Sequence, residues 1–505
     1  MRMPPPDSLL APPAAARATA SAQWGAAAAN VRADRFWPRL LPVLVLLCAV
    51  TRLPSLARPV WNPDEGFLAT QAGQSAQGGV LYETVVDRKP PLMPLLYQGA
   101  FALFGDRSLW PLKAAAALAL LAGAVLVASL ARRRWGDRAG RLAGVCYPLA
   151  AVALVPEDAQ AATFEVFMLP CTVLAMWCAD RGRWGRAGLA VAAAALTKQT
   201  GGAVLLPVLW LLWQSQGGRR AAARLLAGSV LPVVCAALVH GPGRFVFWTV
   251  TGSGNYISAD GAVLHGLMRA FANGGLMVLG CLPMVLALLY ALRLGRPLGA
   301  TADVWVWLAA SAAAVTAGFQ FFGHYFLQLT PALVLLSASA MRHLRPRAVV
   351  ALLAANAVLA AGFLTWALWF FPNGELGHQR ALAAAIRART APSDRVLLWG
   401  MHPETYWFAD RSPASRYLTA GFLTNYSGGR PDVRVGERYA MEGAWRHFLG
   451  ELERRPPVLV VDDSRGKPYG VRRVPTLRAH LGRHYERAGD VDGAVLYVRS
   501  HPSAP

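Results

Sequence analysis

The sequence predicts an α-helical polytopic membrane protein with about eleven membrane segments, followed by a C-terminal extracytoplasmic α/β domain. Three observations predict it. Of 505 residues, 55% are apolar and 15% charged, against about 25% charged in a soluble globular domain. Apolar runs at 36–56, 108–131, 141–156, 163–179, 187–214, 222–240, 273–292, 302–318, 325–340 and 348–371 approach the length of a helical crossing. Arginine sorts the connections between those runs into two classes.

The first run, 36–56, has many runs behind it, so it reads as an uncleaved first crossing rather than a secretory leader. Residues 1–35 are rich in Ala, Pro and Arg without apolar periodicity and read as a disordered cytoplasmic tail. One set of short loops carries Arg132, Arg133, Arg134, Arg138 and Arg141, then Arg181, Arg183 and Arg186, then Arg219, Arg220 and Arg224, then Arg293 and Arg296, then Arg342, Arg345 and Arg347. The short loops 157–162 and 319–324 carry neither Arg nor Lys. The positive-inside rule places the Arg-rich loops and the N-terminus in the cytoplasm. Much of the net charge of +22 is therefore topology, and nucleic acid is excluded as a partner. The expected location is the cell (plasma or inner) membrane, among membrane lipids.

The run 187–214 is basic at both flanks, so both ends belong on the cytoplasmic side. Thr197-Lys198-Gln199-Thr200-Gly201-Gly202 near its middle splits it into two short helices, which completes the eleven segments and leaves the C-terminus outside. Residues 36–372 thus form the transmembrane domain, with a long first outer loop at 57–107, and 373–505 the extracytoplasmic α/β domain. In that domain Arg395–Trp399, Val458–Val461 and Ala494–Val498 read as strands, and Glu437–Glu453 and Thr476–Ala488 as helices. Internal repeats are not evident. The six cysteines lie in apolar runs without metal-ligand spacing and read as small core residues.

Chemistry concentrates in the first outer loop. It opens with Trp61-Asn62-Pro63-Asp64-Glu65-Gly66, an adjacent acidic pair just past the first crossing, and continues to Tyr82-Glu83-Thr84-Val85-Val86-Asp87-Arg88-Lys89-Pro90-Pro91-Leu92. A carboxylate there can take a proton from an incoming hydroxyl, and Lys and Arg can neutralise a departing phosphate. Only four of the 50 basic residues are Lys (Lys89, Lys113, Lys198 and Lys467), so each departs from a strong Arg preference. Lys198 lies between two apolar helices, where a charge is functional by default unless it snorkels to the interface. Gly201-Gly202 beside it could present backbone amides to a phosphate. Glu165 opens a crossing, and serves either as an interfacial carboxylate or in the site. His324 and Tyr325 face outward between two crossings, as an interfacial pair or as contacts to sugar or phosphate; Asn255 and Tyr256 carry a weaker signal. Asp462-Asp463 and the Asn425-Tyr426-Ser427 sequon carry no assignment.

Taken in order, these features resemble a family. They are Arg52 near the end of the first crossing, Asp64-Glu65, the Tyr82–Asp87–Lys89-Pro90-Pro91-Leu92 stretch, Glu165, Leu196-Thr197-Lys198, and His324-Tyr325-Phe326-Leu327 before Pro331. The chain is similar over residues 36–371 to the polyprenol-phosphate-sugar-dependent glycosyltransferases of the GT-C fold, of the protein O-mannosyltransferase and aminoarabinose-lipid-transferase type, family 39-like. The resemblance implies that Asp64 is the catalytic base, that Glu65 orients the loop or the acceptor, and that Lys89 faces the donor. Residues 91–105 then correspond to an interfacial helix. Arg88 stands between Asp87 and Lys89, where the aminoarabinose transferases place the acidic residue directly before the lysine.

The expected function is a hexosyl- or pentosyltransferase. It moves a sugar from a polyprenyl-phosphate donor to a hydroxyl of an extracytoplasmic glycan, lipid or protein acceptor, with inversion. Asp64 is the expected catalytic residue, and Glu65, Asp87, Arg88, Lys89, Glu165, Lys198, His324 and Tyr325 the expected substrate-binding residues. No cofactor or metal is expected, because a monophosphate leaving group beside cationic side chains does not require one. The rival readings are a transporter or flippase for a lipid-linked sugar, which commonly carries internal repeats, and a non-catalytic glycan-binding relative.

Overall fold

The computed structural model describes residues 35–252, 262–427 and 433–500. Residues 1–34 of the expected tail therefore lie outside the described residues. Helices dominate as far as Arg387. Among the described residues, four stretches are long and apolar enough to cross a membrane: Phe36–Ala57, Trp110–Trp135, Gly218–His240 and Pro346–Arg387. Shorter apolar helices occupy Leu92–Phe104, Phe164–Ala179 and Ala302–Val315. The run 273–292, expected as one crossing, falls within two helices, Val263–Gly280 and Leu282–Arg293, bent by 81°, which together are long and apolar enough for a broken span or a re-entrant loop. Pro283 at the start of the second has no N–H to continue the first helix.

The 187–214 run breaks at the expected place. The helix Trp184–Thr197 ends, Lys198 is extended, a 3₁₀ turn covers Gln199–Val204, and Leu205–Gln214 resumes as α-helix. Gly201 is required there by close approach: a Cβ would lie 2.5 Å from the Ala194 carbonyl oxygen and 2.8 Å from Met168 Cγ.

Three of the Arg-rich loops are in direct contact. Arg134 binds Asp180 and Asp303, each at 2.8 Å, and Arg138 donates to the Leu344 carbonyl at 2.6 Å. These contacts tie three of the Arg-rich connections and the start of the Ala302–Val315 helix together.

The loop 57–107, read as irregular before its interfacial helix, contains two helices. Pro63–Ala76 starts where Asn62 Oδ1 accepts from the Glu65 amide at 3.1 Å, with Pro63 in the first turn and Asp64 and Glu65 beside the positive helix end. Leu92–Phe104 follows Pro90-Pro91 and ends at Gly105, whose φ of 82° suits glycine. It occupies the stretch expected as an interfacial helix.

Beyond Arg387 the chain builds a five-stranded mixed sheet in the order β2-β1-β3-β5-β4. The strands are β1 Arg395–Trp399, β2 Ser412–Pro413, β3 Leu459–Asp462, β4 Tyr485–Val491 and β5 Ala494–Arg499. β1 runs parallel to β2 and β3, and β5 antiparallel to β3 and β4. Side chains alternate across it. Val396, Leu398, Val461 and Leu496 pack with Leu382 and Ile386 of helix Gly374–Arg387. Leu397, Trp399 and Val460 pack with Phe448, Leu452, Leu477 and Leu481 of helices Ala444–Arg454 and Pro475–His484.

Two expected helices are shorter than the pattern suggested. Thr476–Ala488 is helical only to His484, because Tyr485–Val491 pairs with β5 across the Asp492-Gly493 turn, where both residues have positive φ. Within Glu437–Glu453 the helix begins at Ala444, after Gly443 at φ 71°. From Leu44 onward the chain packs as one compact unit, the sheet included.

Candidate active site

The site is built on the first turn of the Pro63–Ala76 helix. Its adjacent carboxylates diverge, as successive residues on a helix must. Glu65 is fully buried, and its two oxygens accept from the backbone amides of Trp61 at 2.6 Å and Ala162 at 2.7 Å. Both of its oxygens are thus taken up by backbone. The Asp64 side chain keeps 41% of its surface exposed and faces His324, with Oδ2 4.0 Å from Nε2. The other ring nitrogen of His324, Nδ1, meets the Asp158 carboxylate in a short hydrogen bond. Burial alone lowers the imidazole pKa, but the Glu165 and Asp158 carboxylates outweigh it and hold His324 above its ordinary value. Phe322 stacks parallel to the ring at 5.6 Å.

A second buried pair adjoins the first. The Lys198 ammonium forms an ion pair with Glu165, both almost fully buried, and sits 3.8 Å from the Tyr325 ring centroid. The partner of Lys198 is thus the other charge singled out in the apolar runs. Lys198 also lies in the field of Asp64 and Lys89.

The Asp87–Lys89 segment is held by its backbone. Tyr82, at φ 65°, donates through its hydroxyl to the Lys89 carbonyl at 2.7 Å, and Trp248 Nε1 donates to the Tyr82 carbonyl at 3.1 Å. Gln199, next to Lys198, donates to the Arg88 carbonyl at 2.7 Å, which ties the two lysine-bearing segments directly. Lys89 Nζ lies 5.3 Å from the Phe164 ring, and Arg88 stacks 4.7 Å over Phe422 of the sheet region. Burial pushes the Asp87 carboxyl up to about 7; Asp64 adds to the rise, while Lys89 and Arg88 oppose it. Asn255 and Tyr256 lie outside the described residues. Among the described residues no group of three or more His, Cys, Asp or Glu is arranged to hold a metal ion.

With this geometry in place, three comparisons bear on the chain. Residues 88–242 match the model of the dolichyl-phosphate-mannose-protein mannosyltransferase family. No curated protein matches. Among solved structures, ArnT from Cupriavidus metallidurans bound to undecaprenyl phosphate superposes with a TM-score of 0.61 at 17% identity, covering 94% of this chain and 100% of that one. Its apo form gives a TM-score of 0.64 at 16% identity, covering 91% and 97%. The chain is a GT-C fold protein. The oligosaccharyltransferase of Archaeoglobus fulgidus is a more distant match, with a TM-score of 0.55 at 13% identity, covering 94% of this chain and 76% of that one.

Within this GT-C fold, sequence reasoning missed two supporting groups, Asp158 and Gly323, and singled out Arg52 without its partners. Asp158, which fixes His324, was legible only as part of an acidic loop. Arg52 donates to the carbonyls of Ala159, Gln160 and Ala161 at 2.6, 3.0 and 3.3 Å, and so shapes the loop that carries Asp158. Gly323 admits Asp158, since a Cβ there would lie 2.3 Å from Asp158 Oδ2. An acidic loop and a glycine before a histidine were the only signals.

Proposed function

We propose that the protein is a membrane glycosyltransferase that moves a sugar from a polyprenyl-phosphate donor to a hydroxyl of an extracytoplasmic acceptor, with inversion. One observation carries the reading. In a GT-C fold, an accessible carboxylate, Asp64, stands 4.0 Å from His324 and within the electrostatic field of Lys198, which also feels Lys89. Asp64 takes the acceptor's hydroxyl proton, the oxygen attacks the anomeric carbon, and the carbon–oxygen bond to phosphate breaks in line. The polyprenyl monophosphate departs with the bonding electrons. Lys89 and Lys198 bind the monophosphate dianion more strongly than the ground-state phosphodiester, and that difference lowers the barrier. His324, Tyr325 and Arg88 contact sugar or phosphate around this centre, and Glu65 and Asp87 shape the loop.

On this reading the Arg-rich loops, three of which are tied together, lie in the cytoplasm, and parity over the eleven expected segments puts the sheet region outside. The test is a membrane assay with a panel of radiolabelled polyprenyl-phosphate sugars. Transfer dependent on the protein and on Asp64 is expected. No transfer from any donor, with lipid-linked sugar instead crossing the bilayer, would overturn the reading in favour of a transporter.

A further inference from the structure

The Asp64 helix is held on two sides. Toward the apolar helices, Asn62 caps its start and donates through Nδ2 to the Glu157 carbonyl at 3.2 Å, while Glu65 binds two backbone amides. Toward the sheet region, it packs on the short helix Glu404–Ala409 with almost no space between backbones. A Cβ built on Gly66 would lie 2.4 Å from Glu404 Cβ and 2.8 Å from both its Cα and its N. One turn along the same face, Thr70 Oγ1 donates to the Pro403 carbonyl at 2.9 Å. The Glu404 carboxylate is turned away to His402 Nδ1 at 2.9 Å, so backbone, rather than a flexible side-chain end, meets Gly66. Gly66 has an ordinary helical backbone without positive φ. Glycine in a helix costs roughly 0.5–1 kcal/mol relative to alanine. The missing side chain therefore serves the contact.

We propose that Gly66 and the Glu404–Ala409 helix form the positioning element for Asp64. Their crossing sets how far the Asp64 carboxylate stands from His324 and from the reacting hydroxyl. The sheet region thereby controls the rate of transfer through a residue two places from the base. This rests on the reading of Asp64 as the general base. A shift of about 1 Å in a catalytic group can cost about 10²-fold in rate, and a methyl group wedged at Gly66 demands a displacement of that order.

The experiment uses the full chain in nanodiscs, with G66A, G73A and the double variant G66A/E404G. Gly73 lies on the same helix, and a Cβ there meets nothing within 4 Å. Expected for G66A is a fall in kcat of about 10- to 100-fold, with affinity for undecaprenyl phosphate and thermal stability within twofold and a few degrees of the parent. G73A should keep its kcat within about twofold, and G66A/E404G should recover part of the loss, because the nearest atom is gone.

Normal turnover in G66A, equal losses in G66A and G73A, or a loss of undecaprenyl phosphate binding matching the loss of kcat would each overturn the proposal. A structure of G66A provides a readout independent of activity. An Asp64–His324 separation moved by about 1 Å supports positioning, and an unchanged separation refutes it. Failure of the parent chain to transfer any sugar would count against the functional reading alone.

Discussion

Two buried lysines in this arginine-preferring chain have different surroundings. Lys113, in the first turn of helix Trp110–Trp135, donates to the carbonyls of Ser55, at 2.7 Å, and Arg58. Those carbonyls belong to the turn that ends the first helix, so its charge is spent on closing backbone. Lys198, at the break after Thr197, faces the Glu165 carboxylate and the Tyr325 ring, within the field of Asp64 and Lys89. Rarity in the sequence marks both equally. The partners separate them: Lys113 is spent on backbone acceptors, whereas Lys198 pairs with a carboxylate near the accessible Asp64, and the proposed function gives only the second a part in transfer.

The comparison is most strongly tested at Asp64. Asp64→Asn keeps the shape and removes the base, so turnover should fall by about 10²–10⁴-fold. Thermal stability should stay near that of the parent, since the side chain is 41% exposed. A near-normal rate on a proven substrate would remove the chemical half of the contrast.

The next largest effect belongs to Lys198. Lys198→Met leaves Glu165 buried and unpaired, which should cost on the order of 3–5 kcal/mol of stability and abolish transfer. The double variant K198M/E165Q should recover most of the stability without the activity. Recovery of both would make the pair structural, like Lys113. Lys113→Met should cost about 1–3 kcal/mol for the unsatisfied carbonyls, and leave the turnover per folded molecule unchanged. A selective loss of kcat in that variant would erase the distinction.

The smallest effect is a pH dependence at Asp87. Its folded-state pKa is pushed up to about 7 by burial, above its ordinary unfolded value. The proton is therefore bound more tightly in the folded chain. The stability this contributes is fully present below about pH 4 and is lost as pH rises through about 7. Glu157, pushed up to about 7 for the same reason, acts in the same direction. Asp87→Asn, which mimics the protonated form, should flatten the decline in melting temperature between about pH 5 and 8, measured against the parent. An identical slope in both would mean that Asp87 is already solvated and charged.

Much of this was legible in the chain itself. Apolar runs, alternating arginines and the Asp64-Glu65 and Lys89-Pro90-Pro91 pattern depend on local composition and spacing, which survive without a structure. The break at Lys198 was legible because Gly201-Gly202 interrupts an apolar run with basic flanks. The Pro63–Ala76 helix was also legible in principle, from Asn62, Pro63 and two acidic residues in sequence, but the density of Pro and Gly around it suggested a loop. The strand at Tyr485–Val491 was not legible, because its polar pattern matches a helix end and only pairing with β5 decides it.

The sequence by itself determined the class of the molecule, the order of its elements and which residues carry charge where charge is costly. Tertiary structure decided their roles. It turned Glu65 onto backbone amides and left Asp64 accessible, paired Lys198 with Glu165 across 33 positions, brought Asp158 onto His324 across 166, and set Gly66 against Glu404. The reason is physical. Hydropathy and capping act over a few residues and are written along the chain. The partner of a buried charge, and the space left for one methyl group, depend on which distant segments pack against it.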